Sequence, residues 1–304
     1  MKVLDPANIT HSDLISYNVP LDTPIWSVDT TYSKGDIVTL DDCGAVRYES
    51  LVNNNIGNDP STDDGTNWFK LDEPANYYAM FDQEVSTQTV GDLATDSGAI
   101  SITLNAEYIS GLGFINVSCE TIDITVTDSV EGVLFTDTIE MRDYGVDNWW
   151  EWYFKPFGFK NAYLNTTFPK LRTGTISVTF TPTTGEVAKV GAFIYGDAFD
   201  AGETLIGVST QLKDFSRVEQ DDFGKTTIVK RAKSKLASYP VLIPLSRYDD
   251  TFKKLSSLSG KICLWIPSDT NYSEATVLGF YRDLELPISS HAGINATLLV
   301  TGVR

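Results

Sequence analysis

Apolar and polar residues alternate over much of the chain. In residues 121–127 the order Thr-Ile-Asp-Ile-Thr-Val-Thr puts Ile122, Ile124 and Val126 on one face of an extended strand. Residues 175–181 repeat the pattern with Ile176, Val178 and Phe180, and residues 101–104 give a shorter version. Threonine and serine at the intervening positions predict antiparallel sheets with one wet face. Residues 74–224 therefore read as a β-sandwich of jelly-roll type, and the chain as mainly β.

Beyond residue 224 the period changes once. Tyr248, Phe252 and Leu255 recur at helical spacing, Ser246 stands at a capping position with Asp249 three residues on, and Lys253 and Lys254 fall late in the segment. Gly260 supplies a stop. Strand-like runs at 226–229, 241–243, 261–266, 276–281 and 296–300 surround this helix, which predicts a small α+β domain over residues 225–304.

Charge divides the chain in the same place. Acidic residues outnumber basic ones 41 to 23, a formal charge of −18. Residues 1–73 carry −9, residues 74–224 carry −14 and residues 225–304 carry +5. The acidic bulk repels phosphate backbones and argues against a nucleic-acid partner. The polarity suits contacts between copies, or a basic domain facing its own acidic neighbour. Lys225, Lys230, Arg231, Lys233 and Lys235 form a candidate partner-binding strip, with a solvated face as the alternative. Apolar runs are too short for a membrane-spanning helix, and the opening residues lack the apolar stretch of a secretory signal.

Catalytic material is sparse. Three cysteines, Cys43, Cys119 and Cys263, fall one to a segment, which predicts reduced thiols in a protein folded inside a cell. Two histidines, His11 and His291, allow no zinc pattern, so neither metal nor cofactor is expected. Gly224-Lys225-Thr226 lacks the upstream glycine of a phosphate-binding loop, having Glu219 there. Asp59, Asp63, Asp64 and Gly65 have the wrong spacing for a calcium loop and read as a turn. The densest local feature is residues 147–154, Asp-Asn-Trp-Trp-Glu-Trp-Tyr-Phe. As a strand it would carry aromatics on both faces, for core or interface packing; Trp149, Trp150 and Trp152, with Tyr77 and Tyr78, are the candidates for stacking on a sugar. An acid/base pair of carboxylates is the remaining alternative.

Residues 26–69 resemble the small carbohydrate-binding modules of chitinases and cellulases. The matching elements are Trp26, Tyr32-Ser33-Lys34-Gly35-Asp36-Ile37-Val38, Gly44, Tyr48-Glu49-Ser50, Gly57-Asn58-Asp59-Pro60 and Trp68. The resemblance implies a small β domain over residues 26–73, preceded by an N-terminal arm, residues 1–25. Trp26, Tyr32, Tyr48 and Trp68 would form its core. Residues 51–55, Leu-Val-Asn-Asn-Asn, stand where sugar-binding members carry exposed aromatics, so the scaffold is kept and the stacking platform is missing. Variants of this kind resemble modules embedded in bacteriophage tail proteins. Residues 76–89, the step from Asp221-Asp222-Phe223-Gly224 into a basic strand, and residues 261–283 loosely resemble tail-tip and baseplate proteins as well.

The resemblance implies a structural, non-enzymatic component of a phage virion tail, made in the host cytoplasm. It would sit at the tail tip, baseplate or fibre junction and assemble as a homo-oligomer with other tail proteins. The alternative is a glycan-binding adhesin of the same virion, reading a host surface polysaccharide.

Overall fold

The computed structural model describes residues 1–40, 45–143, 145–146, 148–155, 158–167, 171–220, 224–268, 273–287 and 293–303. The architecture is mainly β, as the alternation predicts, and every pairing between its named strands is antiparallel.

A five-stranded sheet runs Gly132–Glu140, Thr121–Asp128, Leu171–Thr181, Ile100–Ile109 and Leu14–Tyr17 in spatial order. Its inner face is the alternating set read from the sequence: Ile122, Ile124, Val126, Ile176, Val178 and Phe180 are all buried. It packs on Gly111–Ser118 and Lys189–Asp200, which belong to a larger sheet. Phe114 sits at the contact, its ring 5.1 Å from Phe180 and 4.8 Å from Phe193. This is the sandwich.

The larger sheet has eleven strands and does not stop at the sandwich. From Lys189–Asp200 it passes through Lys2–Pro6 to Cys263–Ile266, Val277–Tyr281, Ile294–Gly302 and Lys233–Ile243. Two expectations are corrected here. Residues 2–6 are no arm: Lys2–Pro6 lies mid-sheet, paired to Asp200–Gly196 on one side and to Leu264–Ile266 on the other. Nor does the chain divide cleanly at residue 224, because the C-terminal strands extend the same sheet.

Side chains explain that continuity. Along the central strands, neighbours point into different cores: Val3 and Trp265 enter a C-terminal core with Leu255 and Tyr239, while Leu4, Leu264 and Ile266 enter a core on the opposite face. Strands covered on both faces read as unbroken apolar runs, which is why Cys263-Leu264-Trp265-Ile266 shows no alternation.

The C-terminal core is closed by a helix, Tyr248–Ser257. The predicted stripe forms only in part: Leu255 is fully buried and Tyr248 packs against the core, but Phe252 is exposed, stacked on Tyr248 at 6.0 Å, and Thr251 takes the buried position instead. The capping differs. Ser246 lies inside a preceding 3-10 turn, Leu245–Arg247, so Arg247 occupies the N-cap and no side chain caps the helix. Gly260 follows the C-terminus at φ +78°, a conformation that favours glycine.

Residues 26–73 contribute a separate three-stranded sheet, Ile37–Leu40, Val46–Ser50 and Trp68–Pro74. Cys43 and Gly44 lie outside the described residues.

Candidate functional site

The residues singled out from sequence fall into four places. Trp26, Tyr32, Tyr48 and Trp68 do come together: Tyr32, Val38 and Trp68 form a small core, with Trp26 and Tyr48 packed against it. The Tyr32 and Trp68 rings meet edge-on at 5.3 Å, and Trp68 Nε1 donates to the Asn58 carbonyl at 2.9 Å. The acidic turn beside it is structural. Asp63 Oδ2 accepts from the backbone N–H groups of Gly65, Asn67 and Trp68. Slight burial works against this carboxylate, but the Asn67 side-chain amide donating to Oδ1 at 2.8 Å and those backbone bonds prevail and lower its pKa.

Tyr77 and Tyr78 are no stacking platform. Both lie in a 3-10 helix, Asn76–Phe81, inside the sandwich core, 1% and 8% exposed. Tyr78 donates its hydroxyl to the Ile9 carbonyl, and Tyr77 stacks on Tyr17 at 4.8 Å beside His11. Rings packed on both faces have none left for a sugar.

Trp149, Trp150 and Trp152 are placed in the opposite way. Residues 149–154 form a short helix, α1 (Trp149–Phe154), rather than a strand. Asn148 caps it, its side chain accepting from Glu151 N at 2.9 Å, and the backbone N–H of Lys155 closes it on Glu151 O at 2.8 Å. That local cap overrides the strand preference of the aromatics. The helix sits at the end of an excursion whose stem pairs Arg142 with Phe159 and Asp143 with Gly158. No residue of α1 is buried: Trp149 is 80% exposed, Trp150 72% and Tyr153 74%, while Trp152 and Phe154 are also exposed. Core packing is thereby excluded for this cluster. Trp150 and Phe154 contact each other at 4.3 Å and form one continuous aromatic surface. Asp147, the other carboxylate of the motif, lies outside the described residues.

The basic residues share one element. Ser209–Asp214 pairs with the first half of Lys233–Ile243, and the two chains continue outward as Arg217–Gln220 paired with Thr226–Val229. All residues of Ser209–Asp214, Arg217–Gln220 and Thr226–Val229 are exposed. This ribbon carries Lys225, Lys230, Arg231 and Lys233 on its surface, and Lys235 at its base pairs with Glu274 at 2.8 Å. Leu212, Phe215, Val218, Ile228 and Val229 are exposed among them. A plain solvated face would not carry these apolar residues.

A groove between the ribbon and the far end of the large sheet gave no signal in the sequence. It encloses 370 Å³, with Ile115, Leu164 and Leu278 as its floor and Leu212, Lys233 and Lys235 on the ribbon side. Its lining comes from strands more than a hundred residues apart, so no local pattern marks it.

The two described cysteines are free, and burial pushes the thiols of Cys119 and Cys263 up to about 12, so they are inert at neutral pH. Among the described residues, no group of three or more His, Cys, Asp or Glu is placed to hold a metal ion, and no helix is long and apolar enough to cross a membrane. No family model, curated protein or solved structure matches the chain. Fold and surface together define a mainly antiparallel β protein with two exposed apolar projections, one aromatic and one basic.

Proposed function

We propose that the protein is a non-catalytic structural component of a phage virion tail, acting in several copies through protein–protein contacts at the tail tip, baseplate or fibre junction. The observation that carries an assembly role is the ribbon. Its strands expose both faces, and it holds Val218, Ile228 and Val229 in water with basic residues around them. A two-stranded ribbon with no core of its own gains stability by packing on something else. The phage setting rests on the resemblance of residues 26–69 and on the order of the modules. Quantitative mass spectrometry of virions from a producing host should find the chain at several copies per particle. Its absence from purified particles overturns the reading.

A second reading, a virion adhesin for a host surface polysaccharide, is favoured by one observation: Trp149, Trp150 and Trp152 lie exposed on α1. Tryptophan faces at a projecting tip stack on sugar rings. A glycan array probed with the purified protein tests it, with binding lost in Trp149→Ser/Trp150→Ser.

A further inference from the structure

The aromatic helix and the apolar groove are each unexplained within one molecule, and their chemistry matches. We propose that α1 of one copy seats in the groove of a second copy, and that the exchange is reciprocal, giving a two-fold dimer.

Shape favours the match. α1 is a compact aromatic knob, with Trp150 and Phe154 already in contact and the neighbouring Trp149 and Tyr153 largely exposed. The groove is a hole of 370 Å³ with an aliphatic floor of Ile115, Leu164 and Leu278, large enough to take one or two such rings. Buried aromatic anchors in apolar pockets are the usual centres of protein interfaces.

Charge points the same way. Residues 137–160, which carry α1 and its stem, have a net charge of −2; residues 209–238, which carry the ribbon, have +3. Arg142 of the stem is already ion-paired with Glu120, while Lys233 stands exposed on the groove wall. On the groove wall Lys235 is balanced by Glu274, which also lines it, and Lys233 stands opposite Asp214, so the attraction across copies comes from the net charge of the whole ribbon toward the acidic excursion.

Position makes the exchange mutual. The groove is lined by Asn161 and Leu164, directly after the stem strand Gly158–Phe159 that returns from α1. The groove thus borders the segment that carries the knob, and a two-fold axis beside that segment would pair each knob with the other copy's hole. The area suffices as well. Aromatic side chains bury about 150–250 Å² each, so seating two rings of the knob in the groove removes roughly 400 Å² from water. With a similar area from the groove, and two such contacts per dimer, the total reaches about 1,600 Å², the size of a standard specific interface.

Light scattering on the purified full chain should give twice the mass of one chain. Trp149→Ser/Trp150→Ser should weaken the dimer at least tenfold and leave the β-sheet signal in the far-UV circular dichroism in place, since neither side chain is buried. Lys233→Glu should weaken it less. Mixing Trp150→Cys with Lys233→Cys protein under oxidising conditions should give a disulfide-linked pair of chains that neither variant forms alone. A monomeric wild type overturns the proposal, as does a dimer that keeps its affinity in the double serine variant or fails to cross-link. A glycan bound by the monomer and lost in that variant assigns the helix to sugar and also overturns it. The inference rests on the assembly reading yet fails separately from it. A dimer indifferent to both variants removes this docking alone, whereas absence from virions removes the assembly role and leaves the dimer standing.

Discussion

Asp82 shows what a single residue does that its neighbours in sequence do not announce. It follows the buried aromatic turn Asn76–Phe81, with one carboxylate oxygen accepting from Thr87 Oγ1 at 2.5 Å and the other from Glu84 N at 2.7 Å. Burial outweighs those bonds, with the Glu84 charge adding to it, and raises the carboxyl to about 6 from an ordinary 3.8. Between those values the folded chain holds a proton that the unfolded chain has released. Stability therefore falls as pH rises through that window and stays reduced above it. Asp82→Asn keeps the shape without the charge and should stabilise the protein at pH 7.5 by up to about 3 kcal/mol, the gain vanishing near pH 4. Thermal melts of both proteins at the two pH values check this, and an equal difference at both would refute it. The same scale explains the mixed fate of the aromatics. Tyr77-Tyr78 and Trp149-Trp150 look alike as sequence, each pair beside Asn. One is roofed by Ile9, His11 and Tyr17 from the chain's start, and the other projects beyond its stem. Which pair is buried is decided by distant partners.

Among elements, strands with a dry face and a wet face were readable, because alternation is the physical consequence of that burial. The inward sets of Thr121–Asp128 and Leu171–Thr181 appear in the structure as they do in the pattern. The strand expected at residues 147–154 failed because Asn148 and Glu151 form a local cap that aromatic periodicity does not reveal. The three-stranded element of residues 26–73 was legible through its aromatics, and it permits a sharp test. Among the described residues its buried cluster is Tyr32, Val38 and Trp68, supported by Trp26 and Tyr48. Trp68→Ala should cost about 3–5 kcal/mol, more than so small a core sustains. Hydrogen exchange should then show lost protection in Ile37–Leu40, Val46–Ser50 and Trp68–Pro74, with Ile100–Ile109 still protected. Loss of protection in Ile100–Ile109 as well would mean that the small sheet is not an independent unit.

For the molecule as a whole, the charge step at residue 224 suggested a boundary that the large sheet does not respect. The change of composition is real, but hydrogen bonds and cores follow topology. Lys2–Pro6 supplies the bridge: Val3 enters the core beneath the C-terminal helix and Leu4 enters the core on the opposite face. No local pattern in residues 1–25 could signal this, since pairing Lys2 with Asp200 and Ile266 requires contacts across almost the full chain. Gly196 marks how closely the bridge is packed, because a Cβ there would lie 1.9 Å from the Asp5 carbonyl oxygen. Residues 225–304 expressed alone would lack Met1, Val3, Phe199 and Ala201 from their core and would leave the edge of Cys263–Ile266 unpaired. An open apolar edge of that kind favours association over folding. The fragment should therefore show poorly dispersed amide resonances and aggregate. Restoring Lys2–Pro6 in trans as a peptide should improve its dispersion only in part, because Phe199 and Ala201 come from Lys189–Asp200 and its flank. A well-dispersed, monomeric spectrum from the fragment alone would show that the sheet is two domains in contact, and that the charge step does mark a folding boundary.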